Sequence, residues 1–274
     1  MALSSKPMLL DVVRQRIRLK HYSFRTEKSY VHWIRRFVQF HNRRHPRELG
    51  KVEIEAFLTH LAVDRKVAAS TQNQAFNALL FLYREVLQLQ MPQLDTVQRA
   101  KRPQRLPVVL SPEEVRQLLS RLDGKYWIAA TLLYGSGLRL LECLRLRVQD
   151  IDFEIRLLVV RRGKGDKDRV TVLPKSVIDP LKDHLKKVRA IHSQDLQGGF
   201  GRVYLPPALV RKYPNAPTEW SWQFVFSATT YIRNHDTGHP VKHHLHEKAL
   251  QRAIRNASKA SDIAKRATAH SLRH

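Results

Sequence analysis

Between residues 9 and 90 the apolar positions return at helical spacing. Leu10, Val13 and Ile17 form one stripe and Tyr30, Ile34 and Phe37 the next, with Arg and Lys on the other faces. Ser23 and Thr26 give start signals ahead of the second stretch, with Glu27 in its first turn. Residues 42–50 read as a turn, and 52–63 predict a third helix. Ser70 and Thr71 offer caps for a fourth, whose stripe is Phe76, Leu79, Leu80, Tyr83 and Val86. Periodicity then stops. In residues 91–109, Pro92, Pro103 and Pro107 bracket a run containing Arg99, Lys101, Arg102 and Arg105. Proline stiffens such a segment, and its arginines suit phosphate, which makes Arg102 and Arg105 candidate DNA contacts. The pattern predicts a helical domain over 1–90, a basic linker over 91–109 and a second domain over 110–274.

The second domain opens on Ser111-Pro112-Glu113-Glu114, a cap, a first-turn proline and an acid at the third helical position. That helix is expected to reach Arg121, and another to run from Lys125 to Tyr134. A glycine turn follows, Gly135-Ser136-Gly137-Leu138-Arg139-Leu140-Leu141-Glu142, delivering Arg139 into the next helix. After Asp150 the apolar period changes to two, predicting strands at 151–153, 157–161 and 170–173. Gly163-Lys164-Gly165-Asp166-Lys167-Asp168 joins the last two as a hairpin tip carrying Lys164. Helix returns at 176–191 and again at 245–258, while 193–246 is the least regular stretch of the chain.

Charge narrows the partners. Lys plus Arg number 49 against 24 Asp plus Glu, a formal net charge of +25. Self-repulsion of that size calls for a polyanion, with nucleic acid ahead of an anionic membrane surface. Mean hydropathy is −0.41, and no apolar run approaches the roughly 20 residues that span a bilayer. The N-terminal apolar run is too short for a secretory signal. The single cysteine, Cys143, excludes an internal disulfide, fits a reducing cytoplasm and reads as a core residue. His239 and His243 stand four apart, the spacing of a helical metal pair, but Pro240 lies between them and no cysteine accompanies them; no metal is expected.

Three motifs in order carry a resemblance to the tyrosine recombinases of the phage integrase family. They are the Gly135–Glu142 box, the Gly163–Arg169 segment with its lysine, and His270-Ser271-Leu272-Arg273-His274. The resemblance implies a mainly α fold with a small antiparallel sheet: a helical core-binding (SAM-like) domain followed by an α+β catalytic domain. It assigns Arg139 and Arg273 as a clamp on the scissile phosphate, a task suited to planar, permanently charged guanidinium groups. Lys164 is implied as the general acid for the leaving 5′ oxygen, and His270 as an aid to the attacking group. It also implies a transient 3′-phosphotyrosine, which needs neither metal nor ATP, and a synaptic tetramer. Lys167 and Arg169 are expected to touch the DNA backbone.

Within that family, Phe200–Pro206 and Trp220–Phe226 resemble the extra insertion of integron integrases, here about 193–246. Such enzymes act on duplex recombination sites and on folded single-stranded cassette sites with unpaired bases. Trp222 is the candidate stacking platform, with His243 and His244 as partners, and Trp220 is expected in the core. All eight tyrosines precede His270, whereas the family's nucleophilic tyrosine follows that box. The expectation is a C-terminally truncated recombinase, in a bacterial cytoplasm, that binds DNA without cleaving it. Two other readings share these residues. One is a non-catalytic DNA-binding remnant that competes with a full-length integrase; the other is a type IB topoisomerase-like enzyme.

Overall fold

The computed structural model describes residues 8–89, 100–101, 106–161, 167–234 and 237–273. The chain divides into two compact units, residues 1–105 and 106–274.

In the first unit the apolar stripes become the core of a helical bundle. Helix α1 (Leu9–Leu19) buries Val13 and Ile17, and α2 (Phe24–Phe40) buries Val31, Trp33, Ile34 and Phe37. Ser23 caps α2, its hydroxyl accepting the Thr26 N–H at 3.1 Å. Helix α3 (Lys51–Val63) begins where the Glu53 carboxylate accepts the Gly50 N–H at 2.7 Å. Helix α4 (Ala69–Phe81) passes into a π-helical turn at Leu82–Val86. Its cap is Ala68; Ser70 and Thr71, expected as caps, lie inside the first turn, because an extended backbone at Ala68 starts the helix earlier than either would. The fully buried Tyr83 hydroxyl lies 3.0 Å from the carbonyls of both Pro46 and Leu49, donating its one proton to that pair. Buried Glu27 accepts two hydrogen bonds from one edge of the Arg18 guanidinium, from Nε at 2.9 Å and Nη2 at 3.1 Å.

The second unit is arranged around α6 (Gly124–Gly135). Ile128, Ala129, Ala130, Thr131, Leu132 and Leu133 are all buried there, so the middle of the helix is enclosed on every side. Around it pack α5 (Pro112–Leu119), α7 (Leu140–Leu144), α8 (Ile178–Gln197), α10 (Glu247–Lys259) and a 3₁₀ turn at Ser271–Arg273. The expected capping box opens α5: Ser111 Oγ accepts the Glu114 N–H at 3.2 Å and Glu114 Oε2 accepts the Ser111 N–H at 2.7 Å. Strands β1 (Ile151–Asp152), β2 (Leu157–Val160) and β3 (Arg169–Val172) form an antiparallel sheet in that order, with Val160 opposite Arg169.

Residues 193–246 are more ordered than their composition suggests. They hold the last turn of α8, a short helix α9 (Pro207–Lys212) and an antiparallel hairpin of β4 (Ser227–Arg233) and β5 (Pro240–His244). Pro240 is the first residue of its strand, where a missing N–H is tolerated. His243 therefore stands on a strand and His239 just before it, not on successive turns of a helix. Among the described residues no group of three or more His, Cys, Asp or Glu is placed to hold a metal ion. No described helix is long and apolar enough to cross a membrane.

Candidate active site and aromatic cavity

The glycine turn is shaped by close packing. Gly137 has φ +61°, a conformation glycine adopts without Cβ strain. A Cβ on Gly135 would sit 2.5 Å from Pro174 Cγ, so the turn lies directly against the residue that follows β3 and Leu173. Arg139 is the extended cap residue before α7 rather than a residue within that helix. Glu142, its side chain 8% exposed, accepts the Arg139 N–H at 2.8 Å on Oε2 and Arg139 Nη1 at 2.7 Å on Oε1. Arg169 Nη2 donates to Glu142 Oε2 at 2.7 Å. Burial alone would raise the Glu142 pKa; the Arg139 hydrogen bonds and the Arg169 and Arg139 charges outweigh it and hold the carboxyl below its ordinary value. Two guanidiniums thus share one carboxylate, leaving an excess positive charge at the turn.

The second arginine arrives on the Ser271–Arg273 turn. Leu272 is buried in the core against α6, while Thr268 and Ser271 bond one another through backbone and hydroxyl groups at 3.0–3.3 Å. These contacts fix the turn and leave Arg273 half-exposed and His270 exposed. Helix α6 is the common element: α7 and its arginine turn follow its C-terminus, and the Ser271–Arg273 turn packs on its side. Lys167 is exposed just ahead of β3. Lys164, Arg102 and Arg105 lie outside the described residues.

A separate constellation lies in the 193–246 region. A cleft of about 300 Å³ is lined by Tyr204, Trp222, Phe224, His243 and His244, with Arg145, Arg147 and Arg161 at its polar side and Glu142 on its wall. The His243 ring centroid is 5.7 Å from those of Tyr204 and Phe224 and 4.2 Å from that of His244. The sequence-predicted Trp222, His243 and His244 are therefore brought together. Trp220 instead packs at the edge of the main core, 6.0 Å from the His192 ring.

Arg147 builds this cleft and had escaped the sequence reading. Its guanidinium donates to the Trp222 carbonyl and, at 3.2 Å, to the Tyr204 carbonyl, and its Cζ lies 4.3 Å from the Phe224 ring centroid. Buried Asp150 accepts the Arg147 N–H at 2.9 Å and Arg161 Nε at 2.6 Å. Burial pulls Arg147 down to about 10. Burial, then the His244, Arg145 and Arg147 charges, push His243 down to about 4, so both it and the likewise lowered His244 are neutral rings near pH 7. Neutral aromatic faces beside fixed cations suit an unstacked base with its phosphate close by.

Comparison with known proteins gives the family of both units. The family description "Phage integrase, N-terminal SAM-like domain" matches residues 9–93, and "Phage integrase family" matches residues 108–274. An "Integrase/recombinase" of Escherichia coli is 46% identical over 97% of this chain and 79% of that protein. The fold is similar to that of the Tn1549 transposon integrase in complex with transposon right end DNA. There the TM-score is 0.64 at 16% identity, covering 97% of this chain and 84% of that one. It is also similar to that of a lambda integrase tetramer bound to a Holliday junction, with TM-score 0.63, 15% identity and coverage of 97% and 67%.

Proposed function

The chain belongs to the phage integrase family, and from that premise we propose that it is a DNA breaking-rejoining protein for site-specific recombination, of the integron cassette type. The observation that carries this reading is the delivery of Arg139 and Arg273 by two turns that both abut α6. Cleaving a phosphodiester builds negative charge on two non-bridging oxygens, and two guanidiniums converging there would stabilise that charge. In the reaction the resemblance implies, a tyrosine oxygen attacks phosphorus, the 5′ oxygen leaves, and Lys164 gives it a proton. His270 would take up or orient the proton of the attacking hydroxyl. No metal or nucleotide cofactor takes part in that scheme.

DNA is the proposed partner of both units, with Arg102, Arg105 and Lys167 on the backbone and a tetramer as the synaptic form. The Trp222–His243–His244 cleft supports the integron-type reading, because a stacking platform of that size accommodates one unpaired base of a folded single strand.

Selection from a library of DNA hairpins with unpaired bases tests the proposal at matched salt, since phosphate contacts make affinity fall steeply with ionic strength. The expected winners bind at least about tenfold tighter than their fully paired counterparts. Equal affinity for both would remove the integron-type reading.

A further inference from the structure

Strand β3 and the proline just beyond it meet the arginine turn at three points. Arg169 and Thr171 stand two apart and so face the same side of the strand. Arg169 Nη2 donates to Glu142 Oε2 at 2.7 Å, and Thr171 Oγ1 donates to the Ser136 carbonyl at 2.9 Å. Beyond the strand's end, Pro174 fills the space that a Cβ on Gly135 would need. The alternate residues, Val170 and Val172, are 58% and 57% exposed. The side of β3 bearing Arg169 and Thr171 thus serves the turn rather than the solvent.

Glu142 decides what Arg169 does there. Its carboxylate is almost wholly buried and accepts three donors, one of which is the Arg139 guanidinium. A guanidinium that grips a DNA phosphate has to leave Glu142 at least in part. Leaving a buried carboxylate without a cation is strongly unfavourable, so Arg139 is free to move only if another cation stays behind. Arg169 is that cation, held on Glu142 Oε2 while Arg139 occupies Oε1.

We propose that Arg169 is a positioning residue that neutralises Glu142 so that Arg139 can turn to the phosphate, and that Thr171 fixes the turn from which it does so. This rests on reading Arg139 as a phosphate ligand and goes beyond it, because Arg169 then acts through Glu142 and not by touching DNA.

The test is a double-mutant cycle on the 274-residue chain with one fixed duplex, read as affinity and as the slope of affinity against salt. Loss of one phosphate contact lowers that slope by about 1. Arg139→Ala is expected to weaken binding by about tenfold, and Arg169→Ala by about three- to tenfold. In the Arg139→Ala background, Arg169→Ala is expected to change affinity by less than about twofold and the slope not at all. Additive losses with a slope lowered by about 2 would make Arg169 a direct DNA contact and overturn the proposal. An Arg139→Ala variant that binds as tightly as the parent would remove the phosphate-ligand reading and this inference with it.

Two further variants guard against a folding defect. Arg169→Lys keeps a cation beside Glu142 and is expected to restore most of the affinity. Glu142→Gln removes the charge that Arg169 offsets, so Arg169→Ala is expected to have little effect in that background. An undiminished effect there would also overturn the proposal.

Discussion

Replacing Arg147 by alanine tests the account of the aromatic cleft. The guanidinium donates to the carbonyls of Trp222 and Tyr204 and lies over the Phe224 ring. Each hydrogen bond from a charged donor contributes about 1.5–3 kcal/mol, and the cation–ring contact about 0.5–2 kcal/mol. Water entering the open cleft would rehydrate the two carbonyls and recover part of that loss, leaving a net destabilisation of about 2–4 kcal/mol. For a unit of this size, 1 kcal/mol corresponds to about 2–4 °C, so the melting temperature should fall by about 4–16 °C. The functional readout is fluorescence of a 2-aminopurine placed at the unpaired position of a selected hairpin. Stacking in the cleft is expected to quench it in the parent, and Arg147→Ala should abolish the quenching while fully paired duplex still binds. Arg147→Lys should recover less than half, since an ammonium lacks the fork that spans two carbonyls. A melting temperature within about 2 °C of the parent, with quenching intact, would refute the role given to Arg147.

Acid should weaken the second unit before carboxylates titrate. His243 is depressed from 6.5 to about 4, and His184, His192 and His244 are lowered too, chiefly by burial in every case. Folded values below unfolded ones mean that this stability is complete above about pH 6.5 and is lost as pH falls toward 4. The His243 shift alone corresponds to about 3 kcal/mol, reduced to about 1 kcal/mol for a ring partly open to solvent. A melting temperature of the intact chain that stays level from about pH 7.5 to 5 would contradict this. Gly135→Ala forces a Cβ against Pro174 and should cost about 1–3 kcal/mol while weakening DNA binding, measured by thermal melting and a gel-shift titration. Tyr83→Phe leaves the buried Pro46 and Leu49 carbonyls without their donor and should destabilise the helical unit by about 1–3 kcal/mol in urea unfolding, with the second unit's transition unmoved.

Where local chemistry acts alone, the sequence was readable. Ser111 with Glu114, Ser23 before α2 and the period-two runs that became β1, β2 and β3 all signal through neighbours a few residues away. The β4–β5 hairpin did not: Thr229-Thr230-Tyr231-Ile232 is a β-branched and aromatic run, but glycine, proline and five histidines around it mask the pattern. Arg147 reads as one more basic residue among apolar ones, and its role depends on carbonyls 57 and 75 residues away. Arg169 was legible as a basic residue beside a hairpin, whereas its partner Glu142 lies 27 residues earlier. Long-range pairing of that kind leaves no periodic trace.

Arg139 and Arg273 are proposed to grip one phosphate together. The most direct measurement scans a selected DNA site with single uncharged methylphosphonates, comparing the parent chain with the Arg139→Ala/Arg273→Ala variant. One position is expected where neutralisation weakens the parent by about tenfold and leaves the variant unchanged. A scan in which every position has a similar small effect, or in which the sensitive position persists in the variant, would contradict it.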